Sequence, residues 1–262
     1  MQSRRVPTIA VDGIPIHYEA TGGGEPTVVL VHGSGGSSAV WMRQLEGLAD
    51  IARIVALDLP GHGQSGGTGI GTIAEAAGVV RGFLDALSME KVVLGGHSMG
   101  GAVVQAVALA HPERLAGLIL VGTGARLRVM PKIFAELGGE YPQGVRFVID
   151  LALASAAPSE LRSALVRQTL PVPPSVLIGD FRACDAFDVL DRIGDVAAPT
   201  LVVCGAEDRL TPPRYSRYFH ERIRGSRLAI VEGAGHYVQV ERADETTDAI
   251  RDFLLGETGE IR

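Results

Sequence analysis

One serine stands where the chain around it would lift its hydroxyl into the open. Ser98 is the centre of Gly95-Gly96-His97-Ser98-Met99-Gly100-Gly101. The strand-like run Lys91-Val92-Val93-Leu94 precedes this stretch, and Ala102 to Ala110 follows it as a buried helix. The pattern is strand, tight turn, helix, with Gly96 and Gly100 flanking Ser98 two residues away on each side. Strand and helix leave such a turn almost in contact, so a side chain at either flanking position would collide with backbone. The serine takes up the strain of the turn. A serine hydroxyl is a poor nucleophile near neutral pH and needs a base, which in turn needs an orienting acid. The histidines available are His17, His32, His62, His97, His111, His220 and His236. Only His236, in Glu232-Gly233-Ala234-Gly235-His236, follows a late strand within a glycine-rich turn.

Gly-x-Ser-x-Gly between a strand and a helix resembles the nucleophile elbow of the α/β-hydrolases. That resemblance implies the chain order nucleophile, acid, histidine, which makes Ser98 the nucleophile and His236 the base. For the acid, Asp208 in Gly205-Ala206-Glu207-Asp208-Arg209-Leu210-Thr211-Pro212 matches the family's Gly-x-x-Asp turn. Glu207 is one position off that pattern, and Asp195 reads as a solvated loop residue. Some relatives carry the acid after an earlier strand; here that place reads Gly122-Thr123-Gly124 and has no carboxylate. The resemblance also implies an oxyanion hole of two backbone N–H groups. One is that of Met99, at a helix N-terminus where free N–H groups favour an anion. The other, matched to the family's His-Gly-x pattern in His32-Gly33-Ser34-Gly35, is that of Ser34. His32 is expected to hold its loop, and His97 to pack.

The elements that must position these residues alternate. A β-hairpin is expected over residues 4–20, turning at Asp12-Gly13. Thr27 to Val31 and Ile51 to Leu57 read as buried strands, as do Leu115 to Val121, Pro199 to Cys204 and Arg227 to Val231. Helices are predicted over 39–49, 72–87, 213–223 and 241–255. Asp58-Leu59-Pro60-Gly61-His62-Gly63-Gln64-Ser65 matches an Asp-x-x-Gly-x-Gly-x-Ser turn that members of the superfamily often carry. Alternating strands and helices require parallel strands with right-handed crossovers, hence a doubly wound, mostly parallel sheet with ligands at its carboxyl ends.

Between about 124 and 195 the rhythm breaks into short proline-punctuated helices, near 132–137, 143–154, 160–170 and 174–187. In this superfamily an insertion here forms a helical cap, which excludes water and shapes the pocket. The expected division is a core of residues 1–123, a cap of 124–195 and a second core part of 196–262. Phe134, Tyr141, Phe147, Phe181 and Phe187 are candidates to line the pocket.

Composition narrows the partners. The chain has 262 residues, 46% of them hydrophobic, and a net charge of -6. It has no basic run, which argues against nucleic acid. No apolar stretch approaches the length of a membrane span. Met1 to Val6 has no apolar region of signal type, and the expected location is cytoplasmic. Cys184 and Cys204 make no disulfide framework, and Cys204 is expected to pack in its strand. No cluster at metal-ligand spacing and no nucleotide-binding glycine motif is present, so neither metal nor cofactor is expected. Residues 256–262 read as a loose tail.

The expected reaction is hydrolysis of a small to medium carboxylic ester through an acyl-enzyme. Serine in place of aspartate disfavours haloalkane dehalogenase and epoxide hydrolase chemistry. The Trp41 position and the His-Gly-Ser-Gly loop resemble those of meta-cleavage-product hydrolases, which cleave carbon–carbon bonds, although Gly36 stands where those relatives usually have proline. Lactone hydrolysis and perhydrolysis use the same residues. A low-turnover ligand receptor on the same fold is the alternative outside catalysis.

Overall fold

In the computed structural model, residues 7–256 are described. They form one eight-stranded sheet in the order β1-β2-β4-β3-β5-β6-β7-β8. The strands are β1 (Thr8–Val11), β2 (Ile14–Thr21), β3 (Thr27–Val31), β4 (Arg53–Leu57), β5 (Val92–His97), β6 (Leu115–Val121), β7 (Thr200–Gly205) and β8 (Arg227–Val231). β1 and β2 form the antiparallel hairpin, and β2 runs antiparallel to β4; every later pairing is parallel. The central strands are apolar because both faces of the sheet are covered. Along β3, Val29 and Val31 enter one core cluster while Val28 and Leu30 enter the other. That alternation is the two-residue period of a pleated strand.

Three helices cover the first face: α2 (Ile73–Ala86), α3 (Met99–Ala110) and α8 (Pro213–Arg222). Thr72 and Glu75 close a capping box at the start of α2. On the other face lie α1 (Met42–Gly47) and α10 (Ala243–Leu255), with Leu45 and Ile250 fully buried. The helix predicted over 39–49 is a 3-10 turn, Ser38–Trp41, followed by α1. The closing helix is likewise broken. A short α9 (Val238–Glu241) precedes α10, and Arg242 between them leaves helical geometry at φ -132°. The proposed N-terminal strand residues before Pro7 and the tail after Gly256 lie outside the described residues.

Between β6 and β7 the chain inserts α4 (Pro131–Gly138), α5 (Tyr141–Ala152), α6 (Ser159–Thr169) and α7 (Pro174–Ala186). Proline opens or nearly opens α4, α5 and α7, where its missing N–H costs nothing. Most apolar residues of these helices join the second core cluster, while Ala183 and Cys184 of α7 join the first, so the insertion is packed onto the core. No helix among the described residues is long and apolar enough to cross a membrane.

Candidate active site

The site is built where β3, β5, β7 and β8 end. Ser98 follows β5 directly and adopts φ 53°, ψ -116°, a conformation that L residues other than glycine rarely take. Its neighbours hold it there. The Ser98 N–H donates to the Val121 carbonyl at 3.0 Å, and the Thr123 hydroxyl donates to the Ser98 carbonyl at 2.8 Å. A Cβ on Gly96 would strike the backbone of Gly100, and one on Gly100 would strike the backbone of Val31 and His32. The spacing of small residues around the serine is therefore a steric requirement of the crossing between β3, β5 and α3. Met99 opens α3, so its N–H has no carbonyl four residues earlier within the helix.

His236 and Asp208 come together from adjacent loops. Asp208 Oδ2 lies 2.9 Å from His236 Nδ1. The Thr211 hydroxyl donates to the same Oδ2 at 2.7 Å and lies 3.2 Å from Nδ1. Asp208 Oδ1 accepts the N–H groups of Leu210 and Thr211 at 2.9 and 2.8 Å. Burial alone would raise the Asp208 pKa. The charge and hydrogen bond of His236, together with the Thr211 donors, outweigh it and hold the carboxyl below the usual range. With an acceptor against Nδ1, the proton sits on that nitrogen and Nε2 carries the lone pair.

Ser34, Ser98 and His236 line one cavity of about 280 Å³, with Phe181, Cys184 and Tyr215 among its walls. Asp208 stands behind His236. Glu207 instead bonds the Ser155 N–H and hydroxyl, and Asp195 is exposed. Of the aromatic candidates only Phe181 reaches the cavity. Phe134 and Phe147 pack against the second core cluster, Phe187 lies in the first, and the Tyr141 hydroxyl donates to the Val172 carbonyl. Aromatic residues on short helices are apolar first and pocket-lining only where geometry allows, which sequence periodicity does not resolve.

The supporting histidines divide the work. His32 Nδ1–H donates to the Gly33 carbonyl at 2.7 Å and its Nε2 accepts the Leu59 N–H at 2.9 Å, so it ties its own loop to the one after β4. Burial and the neighbouring His62 charge lower its pKa to about 4. His97 Nε2 lies 2.9 Å from the His236 carbonyl, and burial, with His236 beside it, lowers its pKa to about 3. Neutral His97 thus holds the backbone that carries His236.

Two buried histidine–aspartate pairs were not legible in the sequence. His17 Nδ1 meets Asp58 Oδ2 at 2.8 Å, and Asp58 also accepts the Ser38 and Gln64 N–H groups. His62 Nε2 meets Asp180 Oδ2 at 2.9 Å, and the same oxygen accepts the Gly35 N–H at 3.0 Å. Asp180 sits in α7, so the inserted helices hold the loop that presents Ser34. Asp180 carries no sequence signal, because its partners are 145 and 118 residues away.

The sequence and the fold are similar to those of known proteins. A 2-hydroxy-6-oxo-6-phenylhexa-2,4-dienoate hydrolase from Comamonas testosteroni is 29% identical, over 91% of this chain and 91% of its own. A solved thermophilic esterase is 36% identical with TM-score 0.85, covering 95% of this chain and 97% of its own. The enol-lactonase from Burkholderia xenovorans LB400 is 26% identical with TM-score 0.88, covering 95% and 100%. Residues 28–249, from β3 through the inserted helices and into α10, match the alpha/beta hydrolase family, and the chain belongs to that family.

Proposed function

We propose that the chain is a serine hydrolase of small to medium carboxylic esters, with Ser98 as nucleophile, His236 as base and Asp208 as its orienting acid. The observation that carries this is the 2.9 Å contact between Asp208 and His236, made by a histidine that shares its cavity with Ser98. His236 Nε2 takes the Ser98 proton as Oγ attacks the ester carbonyl. The backbone N–H groups of Met99 and Ser34 hold the oxyanion of the tetrahedral intermediate. His236 then gives its proton to the leaving alcohol, and the acyl-enzyme forms. Water, deprotonated by the same nitrogen, releases the acid. Residues 124–195 act as the cap that keeps bulk water from the cavity.

A second reading is hydrolysis of a carbon–carbon bond in a meta-cleavage product, favoured by the dienoate hydrolase among the relatives. Trp41 is fully buried and does not line the cavity, so it gives that reading no direct support. Lactone cleavage draws on the same residues, as the likeness to an enol-lactonase illustrates.

Initial rates on p-nitrophenyl esters of graded acyl length, for wild type beside Ser98→Ala, test the proposal. Hydrolysis that falls at least about 10³-fold in the variant supports it. Tight binding of a small ligand with neither product nor acyl-enzyme would replace it by a receptor. Turnover of a vinylogous diketone alone would replace it by carbon–carbon cleavage.

A further inference from the structure

Several surface arginines are paired with carboxylates, and those at the cavity are not. Arg43, Arg81, Arg114, Arg162 and Arg251 each meet a carboxylate within 3.4 Å. Arg128, Arg209 and Arg214, which line the cavity containing Ser98, meet none among the described residues. Two of them are fixed by carbonyl groups instead. Arg128 Nη1 donates to the Asp185 carbonyl at 2.8 Å, and Arg209 Nη2 donates to the Leu153 carbonyl at 2.9 Å. A carbonyl positions a guanidinium without cancelling its charge. Arg214 stands over the Tyr215 ring at 5.2 Å, which also leaves the charge in place.

The nearby carboxylates are engaged elsewhere. Asp185 Oδ1 accepts the Val129 N–H at 2.9 Å. Glu207 bonds Ser155, although its charge is also felt by Arg209. Among the described residues no aspartate or glutamate lines the cavity. The adjoining recess shares Arg128 and Arg214 and adds Arg126, which pairs with Asp188 at 3.4 Å. The whole chain carries 30 acidic and 24 basic residues, so a cluster of arginines with no carboxylate in the same wall runs against the average charge.

We propose that the substrate of this site carries a carboxylate, held at the cavity mouth by Arg128 and Arg214 while its ester carbonyl lies at Ser98. The inference rests on the serine hydrolase reading. A planar guanidinium offers paired N–H donors that match a carboxylate, and the apolar wall of Leu127, Val129, Ile133 and Phe181 accommodates the chain between the two groups. Because these arginines are exposed, the effect is on KM and is sensitive to salt.

Ethyl butyrate, monoethyl succinate and carboxymethyl butyrate test it. The second carries its carboxylate on the acyl side and the third on the alcohol side. The expected result is that kcat/KM for one charged ester exceeds that for ethyl butyrate by about tenfold at low salt, with the ratio shrinking as salt rises. In Arg214→Gln the ratio falls about fivefold, through KM, and Arg214→Lys restores part of it. Arg128→Gln provides a second variant should the first fail to fold. A ratio at or below one, or one unmoved by either variant, overturns the inference. Continued Ser98-dependent hydrolysis of ethyl butyrate would leave the hydrolase reading standing. If wild type turns over none of the three, calorimetry with glutarate and neutral glutaramide decides. Binding of glutarate alone, lost in Arg214→Gln, supports the carboxylate site; equal or absent binding overturns it.

Discussion

His62 Nε2 and Asp180 Oδ2 lie 2.9 Å apart, and both side chains are completely shielded from solvent. The pair joins the loop after β4 to helix α7, and through the Gly35 N–H it also fixes the loop that presents Ser34. His62 Nδ1 faces the Pro60 carbonyl at 3.1 Å, so both ring nitrogens meet acceptors and the ring is cationic. Removing one partner of such a pair strands a buried charge. Asp180→Asn is expected to lower stability by about 3 kcal/mol, read as a lower denaturant midpoint. On the hydrolase reading it should also lower kcat, because the loop that carries Ser34 loses its anchor. An unchanged midpoint would show that the pair contributes nothing.

The same pair makes a pH prediction. Burial lowers the His62 pKa, but the hydrogen bond and charge of Asp180 outweigh it and leave the value above the ordinary one of 6.5. A histidine whose folded pKa is raised stabilises fully below its unfolded value, and that stabilisation is lost as pH rises through the folded value. His32, 4.9 Å away ring to ring, has its pKa lowered to about 4 and does not compete in this window. The denaturant midpoint of wild type should therefore fall from pH 6 upward by more than that of His62→Gln. Parallel curves would contradict the assignment.

Thr211 is placed to act through its neighbours. Its hydroxyl donates to Asp208 Oδ2 at 2.7 Å, beside His236 Nδ1. Thr211→Val keeps the shape and removes the donor, which raises the Asp208 pKa. A carboxyl with a depressed pKa stabilises above its unfolded value and loses that contribution as pH falls through the folded one. The acid limb of the stability profile should shift to higher pH in Thr211→Val. On the hydrolase reading, kcat at neutral pH should fall about threefold to tenfold with KM little changed. A shift in KM alone would instead place Thr211 against substrate.

How far the sequence carried depended on the length scale of the cause. Strand positions followed from continuous apolar runs, and the turn around Ser98 from local sterics between Gly96 and Gly100. Both causes act over a few residues. The break at Arg242, which separates α9 from α10, has no comparable signal, because the run from Glu241 onward keeps a helical pattern. Asp180 was invisible for a different reason. It lies on a helix whose other buried residues are apolar, and only the fold brings His62 and Gly35 to it. Phe134 and Phe147 illustrate the limit in the other direction: their type fits a pocket wall, yet they lie half-buried against the second core cluster.

Glu241 shows how the position of His236 is set from the outside. Its carboxylate accepts the Ala154 N–H at 2.8 Å and the Gly235 N–H at 3.0 Å, and the His236 N–H donates to the Ala152 carbonyl at 2.6 Å. The end of α5 and the loop carrying His236 are thus bridged on both sides. Burial raises the Glu241 pKa, and the two N–H donors offset this only in part. Glu241→Ala would leave both N–H groups without an acceptor, at a cost of about 1–3 kcal/mol for each that stays buried. Glu241→Gln can serve one N–H but presents its amide to the other, so its loss should be smaller. On the hydrolase reading, kcat should follow the same order, wild type above Gln above Ala, since each step loosens the loop that holds the base. A Gln variant with wild-type stability but Ala-like kcat would break that link and assign the carboxylate's charge, rather than its bridging bonds, the controlling role over His236.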